Sequence, residues 1–261
     1  MARTALMHVM VQAAIKAGRS LARDFGEVEN LQVSMKGPAD FVSAADRRAE
    51  DILFKELSKA RPGWGFLMEE RGAVEGDGVH RWIIDPLDGT TNFLHAVPLF
   101  TISLALEKAG QIVAGVIYNP AMDELFVAEK GSGAFLNDRR IRVAARRDLT
   151  TCVITTGIPH LGRGNHDRFL TELRSMMNEA AGIRRTGSAA LDLAWVAAGR
   201  FDGYWERGLK PWDIAAGILI VREAGGFVVD GDGRDKMLDT GDIIAGNEAV
   251  QRRVSAIIAP H

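Results

Sequence analysis

Apolar residues near the start of the chain recur at Leu6, Val9, Met10, Ala13 and Ala17, which predicts an amphipathic helix over residues 4–25. A second helix is predicted in "SAADRRAEDILFKELSKARP". Ser43 is its N-cap, Ile52, Leu53 and Leu57 are its apolar positions, and Pro62 lies just past its end. The period then shortens. "HRWIID" reads as a buried strand, and "FTISLALEKAGQIVAGVIYNP" as two strands joined by a Gly-containing turn. "DELFVAEKGSGAFLNDRRIRV" extends the same antiparallel sheet.

From Cys152 onward helices and strands alternate. "CVITTGI" is a strand, a helix follows over 166–178, and a short strand lies near Ile183. "SAALDLAWVAAG" is a helix opened by Ser188, and "FDGYWE" is a strand. "PWDIAAGILIVREAGG" is a helix with Pro211 at its start and glycines at its end, and "GFVVD" and "DIIAG" are strands. Residues 1–150 therefore read as an α+β half and 151–261 as an α/β half. No repeat or linker separates them, which predicts two tightly packed halves of one functional unit.

Composition narrows the class. With 47% hydrophobic and 25% charged residues, the chain of 261 residues has the makeup of a soluble globular protein with a sizeable core. A formal net charge of -2 gives no general attraction to nucleic acid or membranes. The N-terminal segment lacks a signal peptide's apolar core, and runs such as "IAAGILIV" fall well short of the ~18 residues of a membrane span. A cytoplasmic protein is expected. The single cysteine, Cys152, excludes an intrachain disulfide and a cysteine-rich metal site, and its β-branched surroundings predict a buried structural thiol.

The candidate chemistry lies in acids. In "WIIDPLDGTTNF" a buried strand runs straight into Asp85 and Asp88, with Pro86 and Leu87 between them and hydroxyls beyond. A D-x-x-D pair alone is usually a turn. Asp46, Glu69 in "MEE" and Asp213 at the head of a helix add three more carboxylates. Hard oxygen ligands suit Mg²⁺ or Mn²⁺ better than zinc. Divalent ions held by shared carboxylates are suited to phosphoryl transfer, with Thr90 placed to orient water and the N–H groups of Gly89, Thr90 and Thr91 to cradle phosphate.

"DPLDGTTNF" and "WDIAAGILIVREAGG" resemble the two signature motifs of the inositol monophosphatase family, Mg²⁺-dependent and lithium-sensitive phosphatases. The likeness extends through "KGPADFVSAAD", "EKGSGAFLN" and "GSAALDLAWVAAGRFDGYWE". It implies a layered αβαβα sandwich shared with fructose-1,6-bisphosphatase, a homodimer, and two or three Mg²⁺ ions. It also implies that Glu69, Asp85, the Leu87 carbonyl, Asp88 and Asp213 hold metal, and that Asp46, Thr90 and Glu69 position water. Asp88, Gly89, Thr90, Thr91 and Asp213 then meet the substrate's phosphate side, while Gly187, Ser188, Ala189 and Glu206 form the inositol face. Lys36 matches a lysine that some relatives place near the metals, or is a solvated loop lysine. Relatives commonly have glycine where this chain has Met68, a change that could alter the loop or the access of one metal.

The expected reaction is hydrolysis of myo-inositol 1-phosphate or a similar phosphomonoester. Fructose 1,6-bisphosphate, histidinol phosphate and 3′-phosphoadenosine 5′-phosphate are alternatives within the same chemistry. Some bacterial relatives act with the transcription machinery in ribosomal RNA synthesis. The basic clusters "RRTGSAA", "NDRRIRV" and "AARRD" are the sequence's only support for a protein or RNA partner.

Overall fold

The computed structural model of the chain describes residues 4–25, 33–37, 40–162 and 164–259. Helix α1 (Ala5–Phe25) precedes a hairpin of β1 (Val33–Gly37) and β2 (Asp40–Ser43), which leads into α2 (Ala44–Ala60). Strands β3 (Gly65–Met68), β4 (Gly72–Val74) and β5 (His80–Asp88) follow, then the short α3 (Thr90–Leu94). Strands β6 (Thr101–Lys108), β7 (Gln111–Asn119), β8 (Glu124–Glu129), β9 (Gly133–Leu136) and β10 (Arg139–Arg140) complete the first half. The second half runs β11 (Val153–Thr156), α4 (His166–Met177), β12 (Gly182–Arg184), α5 (Ala189–Ala197), β13 (Gly203–Glu206) and α6 (Pro211–Glu223). It ends with β14 (Phe227–Val229), α7 (Met237–Thr240), β15 (Ile243–Gly246) and α8 (Glu248–Ile258).

Strand alternation builds the layers. The eight-stranded sheet has the order β10-β9-β8-β7-β6-β5-β3-β4 and is antiparallel except where β3 pairs with β5. Trp82 and Ile84 of β5, with Leu104 and Leu106 of β6, face α1 and α2. Ile83 and Ala105 between them face the other way, as the two-residue period of a strand requires. Small residues on α1 (Ala13, Ala14, Ala17) and α2 (Ala45, Ala49) are fully buried and let these helices approach closely.

The five-stranded sheet has the order β12-β11-β13-β15-β14, parallel across β12, β11 and β13 and antiparallel beyond. Tyr204 and Ala245 join the core shared with the first sheet, whereas Trp205 and Ile244 pack on the other side with Phe169, Met176, Val250 and Val254 of α4 and α8. Helices α5 and α6 lie between the sheets and are apolar nearly all round, the pattern of a helix with no solvent face. Their separation is set by Gly217, where a Cβ would come within 2.5 Å of Leu193 Cδ1. The result is the expected αβαβα sandwich. The reading of pattern missed the β1–β2 hairpin, the pair β3 and β4, α3, α7 and the amphipathic α8.

Candidate active site

The site begins at an irregularity in β5. Asp85 pairs with Ser103 and Asp88 with Thr101, so one extra residue is inserted around Pro86 and Leu87. Proline brings no N–H to the ladder, and a bulge is one of the few sheet positions that tolerates it. The bulge turns Asp85 and Asp88 toward the same cleft. The Leu87 N–H donates to Asp85 Oδ1 at 2.9 Å, so the pair is an Asx turn as well as a paired-acid element. Gly89 then takes a left-handed φ of 93°, and a Cβ there would lie 2.9 Å from the Leu99 carbonyl oxygen.

Other elements bring the remaining acids. Glu69 follows β3 and lines the cleft, its N–H donating to the Ile84 carbonyl at 3.2 Å. The Glu70 N–H is directed to Glu50 Oε2 at 2.8 Å. Met68 is fully buried in the core under α1 and α2, so its side chain takes no part in the cleft. Asp213 stands in the first turn of α6, where its Oδ2 accepts from the Lys210 N–H at 2.7 Å. Asp88 Oδ2 accepts from Ser188 Oγ at 2.6 Å and from the Ala190 N–H at 2.7 Å, at the head of α5. Two helix N-termini thus favour negative charge here.

Asp46 sits behind this wall. It is buried at the start of α2, where its Oδ2 accepts from the Ser43 N–H at 2.8 Å in a capping box. Thr90 Oγ1 lies 3.0 Å from Asp46 Oδ1 and 3.0 Å from the Leu87 carbonyl oxygen. The hydroxyl has one proton and can serve only one of these acceptors at a time.

The cleft measures about 410 Å³, and apart from Asp46 every site residue expected from the sequence lines it, including Thr91, Gly187, Ser188, Ala189 and Glu206. The Glu206 Oε2 accepts from the Tyr204 hydroxyl at 2.6 Å. Lys36 is on β1, and its side chain lies outside the described residues. Asn92 of the motif and Arg185 also line the cleft, and sequence reasoning missed Asp192, Lys210 and Trp212, which line it too. Asn92 Nδ2 bridges the carbonyls of Leu99 and Thr186 at 2.6 and 2.8 Å, tying α3 to the loop before α5. Asp192 is buried and accepts from Thr155 Oγ1 at 2.7 Å; its signal was an acid inside the apolar run "ALDLAW".

Burial dominates the electrostatics. It pushes Asp85 and Asp213 well above the ordinary carboxylate range, and neighbouring carboxylates push them further. Asp88 rises to about 6, because burial outweighs the bonds from Ser188 and Ala190. Burial also raises Asp46, against the bonds from Ser43 and Thr90. No Lys, Arg or His among the described residues pairs with Asp85, Asp88 or Asp213. Carboxylates buried or half-buried together, without a cationic partner among the described residues and all oxygen donors, match a hard divalent cation in donor type and charge. Among the described residues no three His, Cys, Asp or Glu side chains close tightly enough to grip an ion as they stand.

Comparison with known proteins gives a concordant picture. The chain is 72% identical to an inositol-1-monophosphatase of Mesorhizobium japonicum over 97% of its own length and 95% of the relative's. It is 43% identical to the Nus factor SuhB of Escherichia coli, covering 96% of this chain and 94% of that one. The crystal structure of the extragenic suppressor protein suhB from Bartonella henselae superposes with a TM-score of 0.96 at 64% identity, covering 98% of each chain. With the model of the inositol monophosphatase family matching residues 3–260, and the paired acids of β5 joined to those of α2, β3 and α6, the chain belongs to that family.

Proposed function

We propose that the chain hydrolyses myo-inositol 1-phosphate and related polyol or sugar monophosphates to the alcohol and inorganic phosphate. The observation that carries this reading is that Asp85, Asp88 and Asp213, none of them paired with a Lys, Arg or His among the described residues, are brought to one cleft by the β5 bulge and the heads of α5 and α6. Glu69, Asp85, the Leu87 carbonyl, Asp88 and Asp213 would hold Mg²⁺, two or three ions, with Mn²⁺ as a substitute. Such ions, when bound, neutralise phosphate charge and lower the pKa of water.

The chain's own groups account for the rest. With its proton given to Asp46 Oδ1, Thr90 Oγ1 keeps lone pairs with which to orient a water toward phosphorus. The N–H groups of Thr90 and Thr91 belong to the first turn of α3 and have no partner within the helix, which suits phosphate oxygens. Glu206, anchored by Tyr204, offers acceptors to the hydroxyls of a polyol. Ser188 lines the same cleft, and its hydroxyl donates to Asp88 and accepts from the Leu191 N–H, so it also supports the wall and caps α5. A homodimer, lithium sensitivity and a cytoplasmic setting belong to the same proposal through the family likeness. No helix among the described residues is long and apolar enough to cross a membrane.

Phosphate release tests the reading. The panel holds inositol 1-phosphate, fructose 1,6-bisphosphate, histidinol phosphate and 3′-phosphoadenosine 5′-phosphate, assayed with Mg²⁺ and then with chelator. Metal-dependent release led by inositol 1-phosphate is expected, and release indifferent to chelator would refute the metal assignment. The name of the Escherichia coli relative motivates a second reading, a role with the transcription machinery, for which the exposed Arg184 is a candidate contact. RNA or polymerase binding that survives Asp88→Asn would favour it, and no binding at low salt would dismiss it.

A further inference from the structure

The cleft does not end at Glu206. A second chamber of about 150 Å³ lies beyond it, under the loop after β11 and against the start of α4. The two spaces share Gly157, Ile158, His160, Glu206, Leu209 and Asp213, so they adjoin along these residues. Gly157 shapes the passage: a Cβ there would fall 1.9 Å from the Glu206 carboxyl carbon. With glycine at this place the Glu206 side chain lies flat against the backbone, held from its other side by the Tyr204 hydroxyl.

The chamber's chemistry differs from that of the cleft. Ile158, Pro159, Phe169, Trp205 and Leu209 supply apolar walls. The Phe169 and Trp205 rings stack on one another, 6.5 Å apart at 20°. Its two arginines already have partners. Arg168 Nε donates to Glu172 Oε1 at 3.0 Å, and Arg207 reaches Glu172 Oε1 at 2.8 Å and Asp242 Oδ2 at 2.5 Å. Among the described residues these two arginines are thus matched by two carboxylates, and Glu206 and Asp213 add negative charge at the mouth. Among the described residues a second phosphate would find no unpaired arginine here, whereas a cavity of ~150 Å³ with apolar walls admits one benzene-sized ring.

We infer that this chamber is a leaving-group subsite, and that the chain also hydrolyses phosphomonoesters whose alcohol carries an aromatic ring one carbon from the ester oxygen. The inference rests on the phosphatase reading and extends its substrate class. The step is the same hydrolysis: water oxygen bonds to phosphorus, the phosphorus–oxygen bond to the alcohol breaks, and that oxygen departs with a proton. The products are an arylmethanol and hydrogen phosphate, and no further reactant is required.

Benzyl phosphate and ethyl phosphate, compared with Mg²⁺ present and with inositol 1-phosphate as reference, test the subsite. Burial of the ring predicts a kcat/KM for benzyl phosphate at least tenfold above that for ethyl phosphate. Arg168 stands exposed at the chamber's rim, so Arg168→Trp would obstruct the chamber from outside the cleft. It should bring the benzyl-to-ethyl ratio to threefold or less within that variant. A second readout needs neither turnover nor metal: saturation-transfer NMR with benzyl alcohol should label its ring protons on the wild-type chain and lose most of that signal in the variant. Equal kcat/KM for the two esters, or no saturation transfer to benzyl alcohol, would overturn the subsite while inositol 1-phosphate is still turned over. No release from inositol 1-phosphate either would overturn the phosphatase reading and the subsite together.

Discussion

The buried acids of the cleft should make the metal-free protein less stable as pH rises toward neutrality. Asp88 titrates near 6 in the folded chain against 3.8 for an ordinary aspartate. A carboxylate raised in this way favours folding while protonated, and that contribution disappears as pH climbs from about 4 through 6. The difference of about two pH units corresponds to about 3 kcal/mol for Asp88 alone. Asp85 and Asp213 are raised too and act with the same sign. Of this about 2 kcal/mol falls between pH 4.5 and 7.5, which for a chain of this size implies a melting temperature roughly 4–8 °C lower at pH 7.5 than at pH 4.5. Asp77, held at about 2 by bonds from His80 and Val79, and Asp230, held low by bonds from its own turn and Arg234, act below this window with the opposite sign. The assay is thermal unfolding in chelator from pH 4.5 to 7.5 at fixed ionic strength, repeated with saturating Mg²⁺ and with Asp88→Asn. Mg²⁺ should lift the melting temperature most at high pH, and the variant should flatten the chelated slope while losing turnover. A chelated melting temperature that is level or rises with pH would refute the electrostatic account, as would an unchanged slope in Asp88→Asn.

Three further outcomes follow from individual contacts. Thr90→Val keeps the shape but removes the hydroxyl bonded to Asp46, so kcat should fall by about 10²–10⁴ with an unchanged circular dichroism spectrum, and near wild-type turnover would remove Thr90 from water orientation. Glu206→Gln can still accept from Tyr204 but loses its charge, so kcat/KM for inositol 1-phosphate should drop about tenfold with ethyl phosphate little affected; equal losses would exclude a role in polyol recognition. Gly217→Val would drive a side chain into Leu193 at the α5–α6 contact, and melts should show a loss of about 1–3 kcal/mol; an unchanged melting temperature would show that the two helices can separate at little cost.

How much of this was legible in the sequence depended on whether the signal was local. The spacing of Leu6, Val9, Met10, Ala13 and Ala17 marked α1, and Ser188 marked the start of α5, where its side chain does accept from the Leu191 N–H at 3.3 Å. Asp85 and Asp88 stood out because two like charges end an apolar strand. The layer assignment of α5 and α6 was not legible, since a helix buried on all sides has no period to show which sheet it meets. Nor was the parallel partnership of β3 with β5, a tertiary choice that neither strand's alternation encodes. Asp46 and Thr90 were paired by the family likeness, and the capping-box spacing of "SAAD" is the local signal that fixes the Asp46 carboxylate at the head of α2. Met68 shows the reverse case, in which an unusual residue beside a functional pair proves to serve packing.

The central helical layer also bears on how the chain is made. The sheet face carrying Ile83, Ala105, Ile117 and Phe126 is complete once β8 has been synthesised, yet its cover, α5 and α6, lies far downstream. At about 5–20 residues per second, that apolar surface waits several seconds for its partner during translation. Over that interval a nascent first half presents the same sticky face to every other nascent first half nearby. Synonymous codon changes that slow elongation between β8 and α6 should therefore lower soluble yield while leaving the finished protein's melting temperature unchanged.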